Sequence, residues 1–386
     1  MSSSSRITFN RPTLVGRELE YIRETIEQMH TAACGDFSRR CENFLRERLG
    51  AESLLLTTSC TDALEMAALL LDLQAGDEII FPSFAFVSTV NPFVLRGVRP
   101  VFCDVRADTL NLDESRIEAA ITPRTRAIVP LHYAGVACEM DAINELAERH
   151  GLSVIEDNAH GLFGKYRRRP LGALAPLAAH SFHETKNVIC GEGGALAIHD
   201  ARHVDRAEVL RDKGTDRQRM DRGEVDKYTW VDIGSSFGLS DILAAFLMAQ
   251  FEQVDTIQAR REEVWNAYDE RLRPWAGDVG LKLPTVPGHC EQSFHMYYML
   301  VPQVELRDPL IAHLASQEIA AVFHYQALHR SEMARRLGVA DSVCPVSETV
   351  SDSLLRLPFH RDLTEGEIDR VVAGVRDYFE DSSRRR

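Results

Sequence analysis

Lys186 stands in the stretch Ser181-Phe182-His183-Glu184-Thr185-Lys186-Asn187, just ahead of Cys190-Gly-Glu-Gly-Gly. A lysine that follows an apolar strand and precedes so pliant a loop can be held at a sheet edge, away from bulk water. Its amine is then pushed toward the neutral form and can act as a nucleophile, forming a Schiff base with an aldehyde. The glycines that follow allow backbone to approach a ligand closely and to turn sharply. Taken alone, the same lysine reads first as a solvated surface residue, so its neighbours decide.

Two other segments carry chemistry. LSVIEDNAHG ends an apolar strand with Glu156, Asp157 and His160. In open α/β folds ligands gather at the carboxyl edge of a parallel sheet, where a carboxylate at this point would lie; a turn-forming Asp-Asn pair would look the same. Thr57-Thr58-Ser59-Cys60-Thr61 falls between a strand and a helix. Ser59 is a plausible N-cap, which leaves the Cys60 and Thr61 amides at the positive end of the helix dipole, a seat suited to phosphate. A plain capped helix is the alternative.

Other patterns are weaker. GSSFG (234–238) fits the Gly-x-Ser-x-Gly elbow of serine hydrolases, with histidines 295, 324 and 329 available on paper, but the preceding YTWVDI is a poor central strand. His183-Glu184 begins like a zinc-protease helix, yet Asn187 stands where the second histidine belongs, so no metal site is expected. No Gly-x-Gly-x-x-Gly follows an early strand, which removes a nicotinamide dinucleotide site. The run Lys165-Tyr166-Arg167-Arg168-Arg169 reads as a solvated turn, or as a group that helps to neutralise a nucleotide diphosphate.

The elements that must position these residues are legible from about 53 to 200. SLLLTT (53–58), EIIFP (78–82), PVFCDV (100–105), RAIVPLHY (126–133) and LSVIED (152–157) read as strands, with SFHE and ALAIHD adding two more. CTDALEMAALLLDL (60–73), FVSTVNPFVLRG and EMDAINELAERHG read as helices between them. Strands alternating with helices of this length imply a mainly parallel sheet covered on both faces. From Leu239 to about Leu272 the pattern is one long helical region. Beyond it MYYMLVPQV (296–304) and AAVFHYQ (320–326) sit among helices, as in a small α+β domain. The expected division is a large α/β domain over 1–250 and a smaller one over 251–386; the serine-rich start and the DSSRRR end look frayed.

Composition bounds the partners. The 386 residues carry a formal net charge of −14 with 45% hydrophobic residues, which argues against a broad nucleic-acid or anionic-membrane surface while leaving room for one bound anion. No stretch of about 18 apolar residues indicates a membrane span. The start has no signal-peptide core. Eight cysteines without a Cys-x-x-Cys pair read as reduced thiols. The expected compartment is the cytoplasm.

In order along nearly the whole chain, VGRELEYI, TTSCTDALEMA, GDEIIFPSFAFVSTVN, VPLHYAG, EDNAHG, SFHETKN, GEGGA, LSDILAA and FHYQALH resemble the DegT-type nucleotide-sugar aminotransferases of the fold-type-I pyridoxal-phosphate enzymes. LRGV, LHYAGVACEMD, SFHETKN, VDKYTWVDIGSS and AVFHY are more narrowly similar to the dTDP-4-amino-4,6-dideoxyhexose transaminases. The resemblance implies a large domain with a seven-stranded, mainly parallel sheet plus a smaller C-terminal α+β domain. It implies pyridoxal 5′-phosphate bound covalently to Lys186, the catalytic residue, with Asp157 pairing the pyridine nitrogen. Ser59, Cys60, Thr61 and Ser181 would hold the phosphate, Phe86 would stack on the ring, and His160 would lie near the ring hydroxyl. Tyr325 and His329 are candidates for the sugar side. Ser236 stands where many relatives have an asparagine that reaches the partner's phosphate. A homodimer with active sites at the subunit interface is implied, as is amination at carbon 4 of a dTDP-4-keto-6-deoxyhexose with L-glutamate as donor. Within this fold the alternatives are a 3-aminotransferase, a non-catalytic regulator, and a sugar 3-dehydratase; the last has histidine where Lys186 stands.

Overall fold

The protein's structure, a computed structural model, describes residues 6–384. The first five residues of the serine-rich start, and Arg385 and Arg386, lie outside them. The final helix, Glu365–Arg384, carries the chain through most of the end read as frayed.

Among the described residues thirteen strands form three sheets. Along the chain they are β1 (Ser53–Thr57), β2 (Glu78–Pro82), β3 (Arg99–Cys103), β4 (Thr125–Ile128), β5 (Ser153–Asp157), β6 (Lys165–Tyr166), β7 (Arg169–Pro170), β8 (Leu177–Ser181), β9 (Gly194–Ile198), β10 (Cys290–Glu291), β11 (Tyr298–Leu300), β12 (Val322–Phe323) and β13 (Leu354–Arg356). The large sheet has the order β1-β9-β8-β5-β4-β2-β3. Neighbours from β3 through β8 pair in parallel, and β9 runs antiparallel to both β1 and β8. Strands β2, β8 and β9 are buried at every residue, as befits a sheet with helices on both faces. The expected mainly parallel α/β architecture is therefore present.

Several elements are shorter than the sequence suggests. The strand within RAIVPLHY ends at Ile128, because Pro130 has no N–H to continue the ladder. The strand before the lysine is Leu177–Ser181, so SFHE contributes only its first residue. FVSTVNPFVLRG gives one 3₁₀ turn, Val87–Thr89, and one helical turn, Asn91–Val94. The long helical region breaks at Gln253 into Asp241–Glu252 and Val254–Ala276. In the C-terminal part, MYYMLVPQV and AAVFHYQ yield only β11 and β12, which flank β13 in the order β11-β13-β12. The N-terminal segment joins that layer: the Ile7 amide donates to Glu318 O at 2.9 Å, the Ala320 amide to Ile7 O at 3.0 Å, and the Phe359 amide to Phe9 O at 2.9 Å.

Register places the chemistry. Asp157 lies opposite Ala179 on β8, two residues before Ser181. Gly194 pairs with Ser181 on one side and Thr57 on the other. The ends of β1, β5 and β8 thus meet at one sheet edge, with Gly194 between two of them. A Cβ on Gly194 would lie 2.3 Å from the Ser59 carbonyl carbon and 2.4 Å from the Cys60 nitrogen. Backbone cannot yield cheaply at such distances, so Gly194→Ala is expected to destabilise the fold by about 1–3 kcal/mol, measured as a lowered denaturant midpoint at unchanged slope.

Candidate active site

The helix Cys60–Leu70 starts directly after β1, and Ser59 caps it in extended conformation, its hydroxyl accepting from the Asp62 amide at 3.0 Å. The first bond to a helix carbonyl acceptor is from the Ala63 amide to Ser59 O at 3.2 Å. The amides of Cys60 and Thr61 precede it and are left for an outside acceptor, as helix geometry requires. Ser59, Cys60 and Thr61 line a cavity of about 760 Å³. Ser181 lines it from the end of β8. An oxyanion with several acceptor oxygens fits this cradle of amides, hydroxyls and helix N-terminus.

Asp157 and Lys186 line the same cavity. The Asp157 carboxylate is buried; Oδ2 accepts from the Thr89 hydroxyl at 2.7 Å and Oδ1 from the Ala159 amide at 3.1 Å. Burial raises its pKa, while those two hydrogen bonds and the charge of Lys186 oppose the rise. Lys186 is half-buried, and no acceptor among the described residues hydrogen-bonds its amine. Burial pushes its pKa down to about 8, with Cys60 and Asp157 pulling the other way. At that value roughly one lysine in ten is neutral at pH 7, against roughly one in a few thousand for an ordinary lysine.

His160 is buried in the cavity wall, and burial holds its pKa well below the ordinary histidine value. Its Nδ1 accepts from the Ala134 amide at 3.3 Å and its Nε2 faces the Tyr325 hydroxyl at 3.2 Å. An amide can only donate, so the neutral ring carries its proton on Nε2. Tyr325 therefore accepts from His160, which leaves its own proton free to point into the cavity. Phe86 is 53% exposed at the cavity mouth, with its ring centroid 5.8 Å from that of Tyr325.

Two predicted residues lie elsewhere. His329 is buried outside the lining, its Nδ1 2.5 Å from the Ser83 hydroxyl and its Nε2 3.1 Å from Glu348. Ser236 is exposed, bridges to Asp212, and makes no hydrogen bond to a histidine or carboxylate among the described residues. No strand precedes it, so GSSFG is not built as a hydrolase elbow. The basic run forms the β6–β7 hairpin, where Lys165 pairs with Glu291 at 2.7 Å and Arg169 with Asp141 at 2.6 Å, both outside the cavity.

Thr89 and Arg356 also line the cavity and were not singled out in the sequence; His295 and His324 line it too, and the sequence offered them only as partners for the GSSFG serine. His295 stacks on His160 at 4.4 Å, and its Nδ1 faces the Asn187 side-chain Oδ1 at 3.0 Å. A signal did exist for Arg356: it interrupts the otherwise apolar LLRLPF, whose first three residues form the central strand β13 of its sheet. Thr89 and the two histidines sit in unremarkable local sequence.

Residues 12–376 match the model of the DegT/DnrJ/EryC1/StrS aminotransferase family. Among solved structures, the aminotransferase TlmJ from Streptoalloteichus hindustanus is 28% identical, with a TM-score of 0.89 over 98% of this chain and 100% of its own. A DegT DnrJ EryC1 StrS aminotransferase from Brucella abortus is 30% identical, with a TM-score of 0.85 over 94% of this chain and 95% of its own. DesV from S. venezuelae is 29% identical, with a TM-score of 0.86 over 97% of this chain and 99% of its own. Among the described residues no helix is long and apolar enough to cross a membrane.

Proposed function

Because the chain belongs to the DegT/DnrJ/EryC1/StrS aminotransferase family, a family of pyridoxal-phosphate-dependent transaminases, we propose that it aminates a dTDP-4-keto-6-deoxyhexose at carbon 4. L-Glutamate gives the amino group and leaves as 2-oxoglutarate, in the cytoplasm. The observation that carries this reading is the convergence of Lys186, Asp157 and the N-terminus of the helix Cys60–Leu70 on one cavity. The dTDP-hexose and the carbon-4 position rest on the similarity of LRGV, LHYAGVACEMD, SFHETKN, VDKYTWVDIGSS and AVFHY to that group of transaminases.

The cofactor, when bound, supplies an aldehyde that takes up the amino group and a ring that spreads negative charge. The chain's residues do the rest. The Cys60 and Thr61 amides, with the Ser59 and Ser181 hydroxyls, hold the phosphate. Lys186 would hold the aldehyde and, when freed from it, its amine would carry a proton to or from the substrate carbon that bears the amino group. Asp157 keeps the pyridine nitrogen protonated, and Thr89 fixes that carboxylate. His160 and Tyr325 act as a pair, so that the Tyr325 proton is offered to an oxygen in the cavity. Phe86 packs at the mouth, against the ring or the incoming sugar. His329 supports the wall through Ser83.

The same reading includes a large domain over 1–250 and a smaller one over 251–386, with Ile7 packed in the C-terminal core. It also includes a homodimer that completes each site at the subunit interface, with Ser236 facing the partner's phosphate. Exposed Leu95, Trp230 and Ile233 favour such a contact, and light scattering at twice the chain mass would bear it out.

The test is incubation of holoenzyme with dTDP-4-keto-6-deoxyglucose and L-glutamate, with the product resolved by NMR coupling constants. A 4-amino sugar nucleotide is expected. Amination at carbon 3, or no aminated sugar, would overturn the proposal. In the same assay Asp157→Asn is expected to lower kcat by roughly 10²–10³ while the protein still takes up the cofactor.

A further inference from the structure

Asn187, the residue after Lys186, is buried, and its Nδ2 donates to Ser293 O at 2.6 Å and to Gln258 Oε1 at 2.9 Å. A carbonyl can only accept, so this amide cannot be turned over: Oδ1 in that place would set oxygen against oxygen. Oδ1 therefore points at His295, 3.0 Å from Nδ1, and as an acceptor it requires the imidazole proton there. Burial holds the His295 pKa well below the ordinary histidine value, so the ring is neutral and has no second proton. Its Nε2 carries a bare lone pair.

One face of the ring lies on His160 and the Nδ1 edge on Asn187, while the residue still lines the cavity. Among the described residues Nε2 has no hydrogen-bond partner. Neighbouring buried acceptors are already engaged. The Asp157 oxygens hold Thr89 and the Ala159 amide, and both His160 nitrogens have partners.

We propose that His295 Nε2 accepts a hydrogen bond from the sugar hydroxyl on the carbon next to the reacting carbonyl, and so selects a hydroxylated acceptor. This rests on the transaminase reading above and deepens it. Elimination identifies the ligand group. L-Glutamate commits its amino group to the reaction and otherwise brings carboxylates, whose oxygens a lone pair repels. Of the two substrates only the sugar carries a further donor. Position identifies the hydroxyl. The ring is tied to the residue that follows Lys186, and the reacting carbon must come to that amine. In a 4-keto-6-deoxyhexose the carbons beside carbon 4 are carbon 3, which bears a hydroxyl, and carbon 5, which bears none.

The test gives the holoenzyme dTDP-4-keto-6-deoxyglucose or its 3-deoxy counterpart and reads kcat/KM for each. The half-reaction with L-glutamate is followed separately, by loss of the yellow colour. The wild type should prefer the hydroxylated sugar by roughly 10- to 100-fold. His295→Asn keeps a donor toward Asn187 and removes the cavity acceptor. It should bring the preference near one by slowing the hydroxylated sugar alone, and should change the glutamate half-reaction by no more than a few-fold. His295→Phe, which keeps the stack on His160, should do the same and serves if the asparagine variant does not fold. His295→Gln, whose carboxamide reaches the place of Nε2, should restore most of the preference. Equal losses on both sugars overturn the proposal, as does a matching loss in the glutamate half-reaction, which would assign His295 to Lys186 or the cofactor. A wild type that aminates both sugars equally well sinks this proposal alone. A wild type that bleaches with glutamate yet aminates neither sugar sinks the substrate reading and this proposal with it.

Discussion

Lys186→Ala is expected to cut the transamination rate by on the order of 10⁴-fold or more, because one amine both anchors the cofactor and moves the proton, and loss of positioned acid–base catalysis alone costs up to about that factor. No other lysine lines the cavity, and the Glu184 and Thr185 side chains beside it cannot replace an amine nucleophile. The phosphate cradle does not involve residue 186, so the variant should still take up cofactor, released by mild denaturation. Borohydride should then fix no label to the chain, whereas in the wild type the label should map to the peptide containing Lys186. Arginine at this position would keep the charge without a usable nucleophile and should be as inactive. A variant retaining more than a few per cent of activity would remove the lysine from the mechanism.

The largest effect on stability is expected one residue from the site. Glu156 is buried, with Oε2 accepting from His132 Nε2 at 2.9 Å and the Gly172 amide at 2.8 Å, and Oε1 accepting from the Leu174 and Ala175 amides at 2.6 and 2.9 Å. His132 Nδ1 accepts from the Cys138 amide at 3.1 Å, so its Nε2 is a donor. All four contacts are donors, and only a carboxylate can accept them all. Glu156→Gln turns an NH₂ toward N–H groups and is expected to cost about 3–5 kcal/mol, a fall in Tm of roughly 5–10 °C. Burial by itself raises the Glu156 pKa, but the His132 and backbone donors outweigh it and the net shift is downward. A carboxyl depressed in the folded state adds stability above its unfolded value, near pH 4.5, and loses it as pH falls through the folded value. The gap between wild type and Glu156→Gln should therefore be full at pH 7 and narrow below pH 4, as read by urea melts across that range.

Glu156 and Asp157 also mark what could be read in the sequence. The two adjacent carboxylates at the end of β5 were visible, as was their place at a sheet edge. Strand alternation sends them to opposite faces, one into the core network and the other into the cavity. The strand–helix rhythm, the Ser59 cap and Lys186 were equally legible, because each is a local pattern. Arg356 and His295 reach the cavity from segments that supply nothing else to it, and Thr89, though close in sequence to Phe86 and Ser88, is placed by a carboxylate on a distant strand. Their roles arise from tertiary contacts between residues far apart in sequence, such as Thr89 with Asp157 and His295 with Asn187. The short strands β11 and β12 were read inside longer apolar runs, whereas β10 and β13 escaped for a related reason. Two or three residues cannot display a period.

The hydrogen bonds of Ile7 and Phe9 to residues 318–320 and 359 bear on how the molecule is made. Synthesis delivers this segment more than 300 residues ahead of its partners. Until then Phe9 has nothing to pack against and the cavity lacks a wall. The sheet edge that carries residues 57, 157 and 181 can assemble during synthesis, but the site as a whole can close only once residues 318–359 have followed.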